Sequence, residues 1–119
     1  MSRRHPIIAV TGSSGAGTTT TGQIFNRMFA SEGIAAAMVS GDSFHRYTRE
    51  QMARLAAKGQ FDERNHFALA ANHIDRLEAL FYDYSHTGNG RYRQYVHDED
   101  RALVAEGHKP GTFTPWGPL

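Results

Sequence analysis

The chain has 119 residues, of which 39% are hydrophobic and 21% are charged, and this composition is typical of one globular domain. Its 13 Lys and Arg against 12 Asp and Glu leave a formal net charge of +1, which excludes a strongly basic nucleic-acid binder. The longest apolar stretch, residues 34–39, is too short for a membrane span of about 20 residues, and no secretory leader is recognisable. The absence of cysteine excludes disulfides and thiolate zinc sites. We therefore expect a cytoplasmic protein that binds neither nucleic acid nor membranes.

The amino-terminal third of the chain alternates between strand and helix patterns. Residues 7–10 form an apolar run rich in β-branched side chains, which predicts a buried strand. From Thr18, apolar side chains recur at helical spacing as far as Gly33, a residue suited to the position just after a helix. Residues 34–39 predict a second strand. Because this order implies parallel strands joined by a right-handed crossover, the expected fold class is α/β.

Two further helices are predicted from capping signals and periodicity. Thr48 and Gln51 fit a capping box that begins a helix, and Gly59 is its stop signal. A longer helix is expected to begin within residues 68–72 and to end near Tyr84, because apolar side chains follow one another there at spacings of three and four.

The last part of the chain carries weaker signals. Residues 87–90 predict a turn, and the alternating side chains of residues 91–96 predict a strand. Residues 97–100, a histidine followed by three acidic residues, are interpreted as a solvated first turn of a helix rather than as a chelating cluster, because acidic side chains favour helix N-termini.

The glycine-rich segment between the first predicted strand and helix is the strongest functional signal. The segment matches the phosphate-binding pattern G-x-x-x-x-G-K-[ST] at Gly12, Gly17 and Thr19. Thr19 takes the position of the Mg²⁺ ligand. Thr18, however, stands where the pattern has lysine. A threonine hydroxyl supplies no cation, so Mg²⁺ or basic residues elsewhere must provide the positive charge. The dinucleotide-binding pattern fails because it requires glycine at Thr20. An ordinary turn between strand and helix is the alternative.

This loop narrows the expected fold to a P-loop NTPase-like parallel sheet with flanking helices in three layers. Backbone N–H groups and the helix N-terminus would hold the phosphate groups of a nucleotide. The residues expected to bind the nucleotide are Gly12, Ser13, Ser14, Gly15, Ala16, Gly17, Thr18, Thr19 and Thr20.

A second polar loop follows the second predicted strand. Ligands of open α/β sheets bind beyond the carboxyl ends of the strands, so both loops should flank one crevice. Asp42 could accept a proton from an attacking hydroxyl, since a carboxyl with an ordinary pKa of about 3.9 is ionised at neutral pH. His45 and Arg49 could hold an anionic substrate. Taken singly, Asp42 could also be a turn cap, His45 a packing residue and Arg49 a surface residue.

These residues together resemble a known family. The sequence GSSGAGTTT at residues 12–20 with GDSFHRY at residues 41–47 is similar to bacterial-type phosphoribulokinases. The resemblance extends to LEALF at residues 77–81, to residues 90–97 and to TFTPW at residues 112–116. It therefore covers essentially the whole chain, and the family carries a threonine in place of the Walker lysine.

The resemblance implies that ATP, with Mg²⁺, transfers its γ-phosphate to the 1-hydroxyl of ribulose 5-phosphate, giving ribulose 1,5-bisphosphate for the Calvin cycle. It implies that Asp42 is the catalytic base and that His45 and Arg49 contact the sugar phosphate.

Residues 1–119 are accordingly expected to be the amino-terminal portion of one P-loop kinase domain, inactive by itself and homo-oligomeric at full length. Two alternatives stay open. One is a uridine-kinase-like nucleoside kinase, and the other is a non-catalytic remnant that binds a nucleotide or phosphate.

Overall fold

A computed structural model of the chain describes residues 3–12, 16–60 and 68–119. Within these residues, helices provide most of the regular structure, and two 3₁₀ turns and two very short strands complete it. In chain order the elements are α1 (Thr18–Ser31), a 3₁₀ turn (Gly41–Phe44), α2 (Arg49–Ala57), a second 3₁₀ turn (Leu69–Ala71), α3 (Ile74–Thr87), β1 (Arg91–Tyr92), α4 (Arg101–Ala105) and β2 (Gly117–Pro118).

Glycines in the left-handed region bound α1 at both ends. Gly17 precedes the helix with φ 87°, and Gly33 follows it with φ 70°. The N–H of Gly33 donates to Ala30 O at 3.2 Å and that of Ile34 donates to Phe29 O at 2.8 Å. This pair of hydrogen bonds is a Schellman motif, which satisfies carbonyls left free at a helix end. The helix predicted between Thr18 and Gly33 is therefore confirmed.

The capping box predicted for α2 is present. Thr48 Oγ1 accepts a hydrogen bond from the backbone N–H of Gln51 at 3.2 Å, and Gln51 Oε1 accepts one from the N–H of Thr48 at 2.9 Å. Gly59, with φ 71°, follows the carboxyl end of the helix, as predicted. The first turn of α2 is thus fixed directly after the loop that carries Asp42 and His45.

Helix α3 lies slightly later in the chain than its periodicity predicts. Its expected start within residues 68–72 is wrong, because residues 69–71 form a separate 3₁₀ turn and Asn72 is extended. Asn72 then bridges to His45 across the chain. The helix continues past Tyr84 to Thr87, and Gly88 ends it with φ 77°. That glycine lies in the predicted turn.

The strand predictions are largely wrong for the described structure. Residues 7–10 and 34–39 are not assigned to a strand, and the only sheet in the described ranges is the antiparallel pair of β1 and β2. Of the strand expected at residues 91–96, Arg91–Tyr92 alone forms, followed by an isolated bridge. An apolar run favours extended backbone, but a strand also needs hydrogen bonds to a neighbour, and the run itself cannot supply that partner.

The buried core lies away from α1. Its apolar members come from the 3₁₀ turns, α2, α3 and the segment after β1: Phe44, Met52, Ala71, Leu80 and Val96. No residue of α1 is buried, and Ile24 and Met28 of its apolar stripe are 50% and 52% exposed. The predicted helical period of these apolar side chains is therefore confirmed, and the side chains are not buried among the described residues. No described helix combines the length and the apolarity that crossing a bilayer requires.

Candidate active site

The described part of the glycine loop contains one closely packed glycine and one glycine in the left-handed region. A Cβ at Gly12 would lie 3.1 Å from Thr18 Cγ2 and 3.2 Å from Ala16 Cβ, so the turn leaves little room for a side chain. Gly17 takes a left-handed conformation that favours glycine, and its carbonyl accepts the N–H of Thr21 at 3.0 Å to begin α1.

The first turn of α1 faces solvent with hydroxyl side chains. Thr19 and Thr20 are exposed and Thr18 is half-buried, and no acidic residue stands in this turn. Partial positive charge at a helix N-terminus attracts anions, so this end of α1 suits a phosphate. The predicted contacts of Ser13, Ser14 and Gly15 lie outside the described residues, and the nucleotide-binding role of the loop stays a prediction.

Asp42 is held in the 3₁₀ turn Gly41–Phe44. Ser40 begins this turn with its hydroxyl oxygen accepting the N–H of Asp42 at 3.3 Å. Ser43 and Phe44 are buried, which anchors the turn in the core, whereas the side chain of Asp42 is 45% exposed. A carboxylate is thus presented to solvent from a fixed backbone.

His45 lies against this carboxylate. Its Nε2 is 3.4 Å from Asp42 Oδ1, and its Nδ1 is 2.7 Å from Asn72 Oδ1. The amide nitrogen of Asn72 donates to Ala68 O at 2.8 Å, so the amide oxygen faces the ring and Nδ1 carries a proton. The hydrogen bond to Asp42 raises the pKa of His45, an effect that burial opposes and Asn72 supports.

His97 lies near the other oxygen of the same carboxylate. Its Nε2 is 3.7 Å from Asp42 Oδ2, and its backbone N–H donates to Asp100 Oδ2 at 2.8 Å. The structure therefore brings together the predicted pair Asp42 and His45 and adds His97 and Asn72. The short-range pattern of the sequence carries no signal for these two additions, because both come from distant segments.

Arg49 is directed toward the segment after β1. Its guanidinium Nη1 lies 3.2 Å from Asp98 Oδ1, and hydrogen bonds to Tyr95 and Asp98 raise its pKa. The side chains of Arg49 and Asp98 are 53% and 71% exposed, so an anion could exchange with this carboxylate. Interpreting residues 97–100 as only a solvated turn is incomplete, since two of them contact predicted site residues.

No group of three His, Asp or Glu suited to a metal occurs in the ranges that the structure describes.

Comparison with known proteins places these features in a family context. A family model described as the phosphoribulokinase / uridine kinase family matches residues 7–113. The chain is 50% identical over 121 residues to a probable phosphoribulokinase of Escherichia coli strain K12. It is 48% identical over 118 residues to a phosphoribulokinase of Sinorhizobium medicae. These alignments cover 100% and 98% of this chain but 42% and 40% of the two relatives.

A solved phosphoribulokinase from Rhodobacter spheroides has a similar structure. The TM-score is 0.71 at 37% sequence identity, and the match covers 99% of this chain and 40% of that chain. This likeness confirms the expected α/β fold class of P-loop kinases, although the parallel pairing itself is not seen in the described residues. The chain spans about two-fifths of the length of the relatives it matches.

Proposed function

Because the chain belongs to the phosphoribulokinase / uridine kinase family, we propose that it forms part of an ATP-dependent sugar-phosphate kinase. The acceptor would be the 1-hydroxyl of ribulose 5-phosphate, and the product ribulose 1,5-bisphosphate. The observation that carries the proposal is the Asp42 carboxylate, presented by a buried turn and contacted by two histidines. Such an arrangement suits a general base next to an anionic substrate.

Asp42 is the proposed proton acceptor. As the acceptor hydroxyl oxygen forms its bond to the γ-phosphorus of ATP, its proton passes to the carboxylate and the bond from the γ-phosphorus to the β-phosphate oxygen breaks, releasing ADP. Kinases achieve most of their rate by positioning and charge stabilisation, so a fixed orientation of this carboxylate matters as much as its basicity. The buried residues Ser43 and Phe44 supply that fixed orientation.

The basic side chains around Asp42 are proposed to bind the acceptor. His45, whose pKa is raised, would carry positive charge over a wider pH range than an ordinary imidazole. Arg49 can exchange its exposed contact with Asp98 for the phosphate group of the sugar, to which a guanidinium binds in a bidentate manner.

The residues at the start of α1 fit the nucleotide. The loop backbone and the first helical turn would hold the phosphates, and the exposed hydroxyl of Thr19 would be a ligand for Mg²⁺. When bound, Mg²⁺ supplies the positive charge that neutralises the phosphates, which Thr18 cannot provide. Residues 1–119 would then correspond to the amino-terminal portion of one P-loop kinase domain, and by themselves they should lack turnover.

The name of the matching family also covers uridine kinases, which favours a nucleoside acceptor as the second candidate. A coupled assay of ATP consumption by the full-length protein, with ribulose 5-phosphate and uridine as acceptors, separates the two. Turnover with ribulose 5-phosphate supports the proposal, and turnover with uridine alone overturns it. ATP binding without turnover on either acceptor would identify a non-catalytic remnant.

Two further parts of the proposal concern the full-length protein. We infer that the protein acts in the cytoplasm. An ATP-dependent kinase without cysteine in residues 1–119 suits that reducing compartment. We also propose a homo-oligomer, which light scattering of the full-length protein tests directly.

A further inference from the structure

Arg93 connects the segment after β1 to the turn that carries Asp42. Its Nε donates to Ser43 O at 2.9 Å, and its Nη2 donates to His45 O. These two carbonyls flank Phe44, the last residue of the turn Gly41–Phe44. A single guanidinium therefore holds the carboxyl end of the turn from an element that lies far away in the sequence.

Aromatic rings fix the guanidinium itself. Its central carbon lies 3.6 Å from the ring centre of Phe113 and 4.5 Å from that of Trp116. The Trp116 ring in turn lies 6.0 Å from that of Phe44, so the same tryptophan touches both the cation and the turn. This enclosure limits the rotamers open to Arg93, and the two hydrogen bonds gain directional precision from it.

No carboxylate lies at ion-pair distance from Arg93 in the described ranges. Its positive charge interacts instead with two backbone carbonyls and with aromatic ring faces. Burial, followed by the nearby Arg76, lowers the pKa of Arg93 to about 10. The side chain is still charged at neutral pH. A half-buried cation with only backbone acceptors is unusual for a residue that merely solubilises a surface.

We infer that Arg93 is a positioning residue for the proposed phosphoryl transfer: by clamping the carbonyls of Ser43 and His45, it keeps Asp42 and His45 facing each other. The inference rests on the proposed kinase function. It adds a residue that does not touch the acceptor or ATP and acts only through the turn.

The test compares Arg93→Met and Arg93→Lys with Arg54→Met in the full-length protein. Arg54 forms an exposed ion pair with Glu50 within α2, so its removal is a control for losing an arginine without losing the clamp. Lysine keeps the charge of Arg93 but places its donors on one rotating ammonium nitrogen in place of the planar guanidinium fork. The lysine variant also serves if the methionine variant fails to fold.

The kinetic expectation follows from the positioning role. A misplacement of about 1 Å at a catalytic group can cost about 100-fold in rate, so kcat per folded molecule should fall about 10- to 100-fold in Arg93→Met. Arg93→Lys should recover only part of this loss, and KM for ATP should stay within about twofold in both. Unchanged kcat per folded molecule in both variants would overturn the inference.

A second measurement does not depend on activity. The pKa of His45, read from NMR titration of its ring proton, should fall in Arg93→Met, because the contact with Asp42 is the largest cause of its elevation. Simple removal of a nearby positive charge would instead raise this pKa, since the charge of Arg93 lowers it. A rise would therefore refute the positioning role. If wild-type protein lacks kinase activity but the pKa falls as expected, the proposed function fails while the clamp stands.

Discussion

Nε2 of His97 lies 3.7 Å from Oδ2 of Asp42, although every buried residue of the described core lies between these two positions along the chain. The other carboxylate oxygen of Asp42 faces His45. Each oxygen thus has its own imidazole neighbour, and the carboxylate is oriented from both sides.

Replacement of Asp42 by asparagine should separate chemistry from binding. General-base catalysis typically contributes 100- to 10,000-fold, so kcat of the full-length kinase should fall by about that factor. The amide preserves the shape of the side chain, and the ATP dissociation constant should therefore change little. Steady-state kinetics and calorimetric ATP titration on the same preparation check both parts. Near-normal kcat would remove Asp42 from the mechanism without affecting the proposed phosphate loop.

Two histidines should give opposite dependences of stability on pH. Because the folded-state pKa of His45 is raised above 6.5, its stabilising contribution is present below that value and is lost as the pH rises through the folded pKa. Burial, with Arg46, Arg93 and Arg76, lowers the pKa of His73, so its contribution is present above 6.5 and is lost as the pH falls.

Denaturant unfolding of wild type, His45→Gln and His73→Gln at about pH 5.5 and about pH 8.5 checks these signs. The loss of free energy of unfolding in His45→Gln should be larger at the lower pH. The loss in His73→Gln should be larger at the higher pH. Equal losses at both pH values in either variant would contradict the corresponding pKa direction.

Arg49→Ala should weaken binding of the sugar phosphate. A charge-assisted contact is worth roughly 1.5–3 kcal/mol, which corresponds to about 10- to 150-fold in KM for the acceptor. The exposed ion pair with Asp98 contributes at most about 1 kcal/mol, so stability should change little. Arg54→Ala removes a comparable exposed pair with Glu50 and is the matched control. An unchanged acceptor KM in Arg49→Ala would exclude the anion-binding role.

The two ends of α1 provide a paired test of the glycine loop. Gly17 and Gly33 both have positive φ, and a Cβ at either position would meet nothing within 4 Å. Valine at either site should therefore cost a similar conformational strain, at least about 1–2 kcal/mol of stability. Only Gly17→Val places a side chain at the predicted phosphate site, so it should weaken ATP binding at least about tenfold. Equal ATP affinities in the two variants would contradict that site.

Local capping signals predicted the ends of α1 and α2 well, whereas the start of α3 and the strands were predicted poorly. Gly33 and the Thr48–Gln51 capping box determine their elements through hydrogen bonds among neighbouring residues, which the sequence displays directly. The strands expected at residues 7–10 and 34–39 depend on partners in other segments, and a short apolar run contains no information about them.

The candidate site likewise contains residues whose proximity is local in sequence and residues brought together by tertiary folding. Asp42 and His45 lie three residues apart in one loop, so their proximity follows from local geometry and was predictable. His97, Asn72 and Arg93 reach this loop only after the chain has folded back upon itself. Arginine in an alternating pattern indicates a solvent-facing position, whereas here tertiary contacts with Phe113 and Trp116 cover the side chain.

Trp116 is the single tryptophan among the 119 residues, and its ring borders Phe44, His73, Arg76 and Arg93. Indole emission responds to the polarity and charge of its immediate surroundings, so the segment carries an intrinsic optical reporter beside the turn that presents Asp42. Within residues 1–119, a ligand that shifts this turn should alter the emission of this one chromophore. Binding of the acceptor could then be followed in real time, without a label and without turnover.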